Sequence, residues 1–192
     1  MTTRITSLIH ASTASILHLA LLSSLVAAAP LFAADGAATK SANEQHAPDT
    51  LVQQVRAGTR KYLNVNNAVQ AGYGPFLGCV AGTDHGAMGV HYVNGVLLGN
   101  LTLDPSQPQA LIYEPDNGKM TLVGVEFILD SASWLAANNN TPPVLDGQVF
   151  NFVGAPNRFH IKSFFELHVW AWRDNPQGAF VDWNNDVTCQ DQ

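Results

Sequence analysis

Four side chains of this 192-residue chain have the chemistry of a mononuclear metal centre. His85 and His91 stand in DHGAMGVHYVN, Glu126 in LVGVEFIL and His168 in FELHVWAW. Imidazole nitrogens and a carboxylate oxygen are common ligands of zinc, copper, iron and manganese. A three-His, one-Glu set would hold one such divalent transition metal. With a coordination position left open, the ion would act as Lewis acid or redox centre, for hydrolysis or oxidation of a small molecule. The structural alternative for Glu126 is a buried carboxylate hydrogen-bonded to a tyrosine, to Asn94 or to a histidine.

The segments around these residues alternate as strands do, sending successive side chains to opposite faces. Over Phe164 to Trp172, Glu166, His168, Trp170 and Trp172 share one face and Leu167, Val169 and Ala171 the other. Over Thr121 to Leu129, Gly124, Glu126 and Ile128 oppose Val123, Val125 and Phe127. A His and a Glu thus interrupt hydrophobic runs at strand centres. An ionised Glu is rarely buried unless it is paired or bound to a cation. Glu166, two residues from His168, is placed to orient an imidazole. Tyr92, Asn94 and Trp170 are pocket candidates, with core packing as their ordinary alternative. Glu114 precedes Pro115 at a strand end and reads as a turn residue, and His160 reads as surface.

These residues need a scaffold. Asp49 or Thr50 can cap a helix, whose apolar face starts with Leu51, Val52, Val55 and Ala57 and continues to Tyr62 and Leu63. GYGP ends the helical part. Strand-like runs follow at Gly89–Val93, Ala110–Glu114, Thr121–Leu129 and Phe164–Trp172. PDNGK between the second and third of these predicts a hairpin. The expected fold is α+β, mainly β: an N-terminal helix followed by a small antiparallel sheet or barrel, a cupin-like barrel being one form. One domain spans 49–192.

The first 34 residues read as a secretory signal peptide. Arg4 gives a positive start, Ile16 to Ala29 is apolar, and VAAAPLFAAD offers small-residue cleavage sites. The apolar core is shorter than the ~20 residues of a spanning helix. Residues 35–48 read as a disordered lead-in. The exported part should be periplasmic or secreted, with no membrane span. The formal net charge is −6, and loss of Arg4 makes it one unit more negative. No Lys/Arg cluster is visible, which argues against nucleic acid as a partner. Cys79 and Cys189 are the two cysteines. In an oxidising compartment a disulfide between them is the simplest expectation.

Two other readings compete. In a copper electron carrier, Cys79, His85 and Met88 would act with a distant His, leaving Cys189 unpaired. A non-catalytic envelope module would bind carbohydrate or another ligand through Trp172 and Trp183, its His/Glu cluster being structural. No nucleophile elbow, phosphate loop or CxxC pair is present.

The runs MGVHYVN, LDPSQPQALIYEP, LVGVEFI and LHVWAWRDNPQGAFVDWN, followed by Cys189, resemble a known pattern. It is MGxHYxN, ALxYEP, LxGVEx and LHVWxWxxNPxGxFxDWN followed by Cys, found in a family of uncharacterised secreted or periplasmic proteins. RAGTRKYLNVNNAVQAGYGPFLGCV resembles that family's helix leading to GY and Cys. The resemblance spans nearly the whole chain after the leader and implies export, but no particular activity. The ligand types also resemble those of cupins, whereas the spacing does not: cupins carry HxH with the Glu shortly after.

Overall fold

The computed structural model describes residues 50–190; the expected signal peptide, the lead-in, and His10, His18 and His46 lie outside them. Helix α1 runs Thr50–Thr59 and buries Leu51, Val52, Val55 and Thr59, one stripe at helical spacing. Ala57 lies outside that stripe and is exposed. A 3₁₀ turn, Arg60–Leu63, buries Tyr62 but leaves Leu63 exposed. The Asn64 side chain then accepts from the Asn66 N–H and caps helix α2, Val65–Gln70.

The sheet follows. Strands β1 (Tyr73–Ala81), β2 (Ala87–Asn94), β3 (Ala110–Asp116) and β4 (Lys119–Asp130) form an antiparallel meander. Helix α3 (Gly95–Leu98) lies between β2 and β3, and α4 (Ser131–Ala137) follows β4. Two short strands, β5 (Val144–Leu145) and β6 (Gln148–Val149), pair with each other. Then β7 (Asn151–Val153) and β8 (Phe164–Val169) complete the main sheet, in the order β1-β2-β3-β4-β8-β7. The fold is α+β and mainly β, as expected. The sheet is open: β1 and β7 are its edges and do not pair with each other, so no cupin-like barrel closes.

Local chemistry explains the register. Asn117 (φ 48°) and Gly118 (φ 77°) take the left-handed conformations of a two-residue hairpin turn, pairing Asp116 with Lys119. The unexpected strand β1 contains Pro75, which an edge strand tolerates because no neighbour needs its missing N–H.

One face of the sheet packs on the helices. Leu51, Val55 and Ala68 meet Val90, Tyr92, Leu111, Tyr113, Val125, Phe127, Leu167 and Val169 in one apolar cluster. The Tyr113 hydroxyl donates to the Tyr62 carbonyl at 2.7 Å and the Tyr73 hydroxyl to the Pro108 carbonyl at 2.8 Å. Two expected alternations break. Val123 faces the other way, with Ile112 and Trp170, because a bulge opposite Ile112 and Tyr113 inserts an extra residue in β4. Trp172 packs on the helical core and its indole N–H donates to the Thr59 hydroxyl, because β8 ends at Val169 and the chain turns.

The C-terminal segment returns across the sheet's other face. Ala87 and Asn184 bond to each other through both backbone groups, at 3.1 and 3.2 Å. Cys79 and Cys189 form the expected disulfide, with a Cα–Cα distance of 5.7 Å. Cys79 is thus no thiolate ligand, and the copper-carrier reading loses its sulfur. Glu114 is buried: its carboxylate accepts from the Thr188 N–H at 2.9 Å and holds the Arg173 guanidinium. Glu114 therefore anchors the tail rather than serving a turn. Among the described residues no helix is long and apolar enough to cross a membrane.

Candidate metal centre

Register brings the chemistry together on the face away from the helices. Glu126 on β4 lies directly opposite His168 on β8, and opposite Ala110 on β3. His91 on β2 pairs with Ile112, one step along. The small Ala110 side chain lies between β2 and β4, so the two long side chains can meet beside it. The His91 Nε2 comes to 3.3 Å from the Glu126 Oε2. Ligand atoms of His91, Glu126 and His168 all lie within 4.8 Å of one another, and all three residues are buried. The two imidazole rings meet edge to face with centroids 5.8 Å apart.

A second triplet, Glu166, His168 and Asp182, shares His168 and meets the same distance limit. Asp182 comes from the C-terminal segment. Its Oδ1 is 3.6 Å from the His168 Nδ1 and accepts from the Asn151 amide at 3.1 Å. Three contacts set the Asp182 backbone in place. The Trp170 N–H donates to the Ala179 carbonyl, its indole N–H to the Val181 carbonyl at 2.6 Å, and the Asn184 bridge follows directly.

His168 is 1% exposed, and neither of its ring nitrogens has a hydrogen-bond partner among the described residues. Buried polar atoms are nearly always satisfied, so the partnerless Nε2 of this imidazole points to a missing ligand. The donor set fits a divalent transition metal. Two His and one carboxylate are the ligands of catalytic zinc and of mononuclear non-haem iron. A carboxylate beside the far side of a ligating His, as Asp182 is placed, fixes ring orientation.

Electrostatics agree with a cation-seeking site. Burial lowers the His91 pKa against the opposing pull of Glu126, which favours the neutral, ligating form. For His168 burial pulls down, but the Glu126 charge and Asp182 outweigh it, and the pKa rises. Burial and then Glu126 push the Glu166 carboxyl up to about 10, so it is protonated at neutral pH. Asp182 is lowered by its contact with His168. Protons thus hold the acidic cluster together where a metal ion would otherwise supply the charge.

Of the expected residues, His91, Glu126, His168 and Glu166 converge, and Trp170 stacks on His168 with ring centroids 6.2 Å apart. His85 stands outside the group. It is exposed in the turn between β1 and β2, beside the Trp183 ring. That turn, closed by the Gly82 N–H on the Gly86 carbonyl, lies beyond the sheet end. Tyr92 faces the helical core against Tyr113. Asn94 caps α3, accepting from the Val96 and Leu97 N–H groups. Trp172 and Trp183 make no shared platform: the first is packed on the core, and Arg158 lies over the second. Asp182 escaped notice, its sole sequence signal being its place in the FVDWNN run.

Beside this cluster opens a narrow cleft with His91, Glu126 and Glu166 as its polar side chains. No protein-family model, no curated protein and no solved structure matches the chain.

Proposed function

We propose that this is an exported metal-binding protein, and that His91, Glu126 and His168 hold one divalent transition ion with Asp182 orienting His168. The observation that carries the reading is the buried His168, whose Nε2 has no hydrogen-bond partner and whose Nδ1 has only the Asp182 carboxylate at 3.6 Å, with ligand atoms of His91 and Glu126 within 4.8 Å. The Cys79–Cys189 disulfide supports an oxidising compartment. Zinc and iron suit the two-His, one-carboxylate set best, ahead of copper and manganese. When bound, the ion would supply Lewis-acid or redox chemistry for hydrolysis or oxidation of a small molecule. The chain's own groups would do the rest. Glu166 lines the cleft beside Glu126, its carboxyl pushed up by burial, and would be the group that passes a proton to or from a reacting molecule.

Elemental analysis of the exported protein, beside His168→Ala and Glu126→Gln, tests the reading. About one equivalent of a single transition metal is expected in the wild type, with a loss of at least tenfold in occupancy in each variant. Circular dichroism establishes that the variants fold. A wild type that stays metal-free after reconstitution at pH 7.5 overturns the metal reading. The cluster is then an internal polar network beside a binding cleft, as in the non-catalytic alternative.

A further inference from the structure

The cleft beside the ligands is chemically lopsided. Its walls come largely from β1, with Phe76, Leu77 and Val80, and from the segment leading into β8, with Phe159, Ile161 and the first β8 residue, Phe164. Its polar side chains, His91, Glu126 and Glu166, are all buried. Phe76, Leu77 and Ile161 remain 42%, 58% and 40% exposed, an apolar rim on a buried polar floor. Contiguous exposed apolar surface of this kind marks ligand sites more often than idle surface.

The backbone adds an independent sign. Leu77 has φ 62° and Gly78 φ 71°, and the β1–β2 register slips between Phe76 and Cys79. Glycine adopts this conformation freely, whereas for leucine it is an outlier. Such strain persists where the surrounding structure over-determines it, and it gathers at ligand clamps. Here the strained residue is itself part of the wall.

Charge narrows the ligand. Among the described residues none lining the cleft is Lys or Arg, and two of the three polar ones are carboxyls. In the metal-free protein a carboxylate or phosphate would enter with no Lys or Arg to meet it and beside the Glu126 carboxylate.

We infer that the cleft binds a small, uncharged amphiphile, its apolar body against the β1 and pre-β8 walls and one hydroxyl or carbonyl group at the His91–Glu126 floor. The inference rests on the metal reading only for what happens to that head group; the cleft itself stands without it.

Isothermal titration with 4-alkylphenols, from phenol to 4-butylphenol, tests it on the exported protein. Affinity should rise about fourfold per added methylene. With the metal removed by chelation, 4-butylbenzoate should bind at least tenfold more weakly than 4-butylphenol. Ile161→Glu changes only a half-exposed rim residue and should weaken 4-butylphenol at least tenfold with metal content unchanged. Affinity independent of chain length, benzoate binding as tightly as phenol, or an unaffected Ile161→Glu variant overturns the inference. Metal content measured on the same samples keeps the two readings apart. Phenol binding by a metal-free protein supports the cleft and defeats the metal, and a metal-loaded protein blind to chain length does the reverse.

Discussion

Removing the disulfide is the most quantitative perturbation this structure offers. Cys79 and Cys189 are separated by 110 residues, more than three quarters of the described chain. Cross-linking so long a loop removes unfolded-state entropy worth about 4.7 kcal/mol in the chain-entropy treatment. The folded state is little altered by cutting the bond, because other contacts still hold the tail. Glu114 accepts from the Thr188 N–H, Arg173 reaches Glu114, and Asn184 is paired with Ala87. Real unfolded chains are more compact than the ideal one, so the expected loss is about 3–4 kcal/mol. For a domain of this size that lowers the urea midpoint by roughly 2 M. Urea unfolding of the Cys79→Ser/Cys189→Ser variant, followed by tryptophan fluorescence and circular dichroism together, gives the number. A loss under about 1 kcal/mol would refute the reasoning, since loop length would then not govern the stabilisation.

Two further outcomes follow from single residues. Gly86 has φ 74°, and a Cβ there would sit 2.0 Å from the Asn184 carbonyl oxygen, so Gly86→Ala should destabilise by about 2–4 kcal/mol; an unchanged melting temperature would contradict the close docking of the tail. Asp130 caps α4, its carboxylate accepting from the Ser133 hydroxyl and N–H, and these bonds lower its pKa. A lowered carboxyl pKa contributes stability that is present above the unfolded value near 3.8 and is lost as pH falls through the folded value. Asp130→Ala should therefore cost about 1 kcal/mol at pH 7 and progressively less below pH 4, measured by thermal melts across that range.

How far the sequence reveals this molecule depends on regularity. Glu126 and His168 sit in regularly paired stretches of two strands, so period-2 alternation shows each interrupting an apolar run, and the structure sets them opposite each other. Alternation fails where regularity does. The bulge opposite Ile112 and Tyr113 turns Val123, and the end of β8 at Val169 turns Trp172. Strand β1 was hidden because Gly74, Pro75 and the left-handed Leu77–Gly78 pair erase the periodic signal. Asp182 belongs to an irregular segment positioned by long-range contacts, which no local pattern encodes. His85 shows the converse: a suitable residue type, close in sequence to His91, carried away from the cluster by a turn.

The strand order also dictates a sequence of events. Strands β1 to β4 pair with their immediate chain neighbours, so each closure spans a short loop and is entropically cheap. Strand β8 must cross a longer connection to reach β4, and the tail must return to Ala87 across most of the domain. Distant contacts form late when near ones can form early. Loop-closure entropy therefore predicts that His91 and Glu126 come together with the meander, that His168 joins on the docking of β8, and that Asp182 arrives last. Were an ion to bind as proposed, it would meet a partial set of ligands before the complete one, and its capture would favour the docking of the final strand and tail.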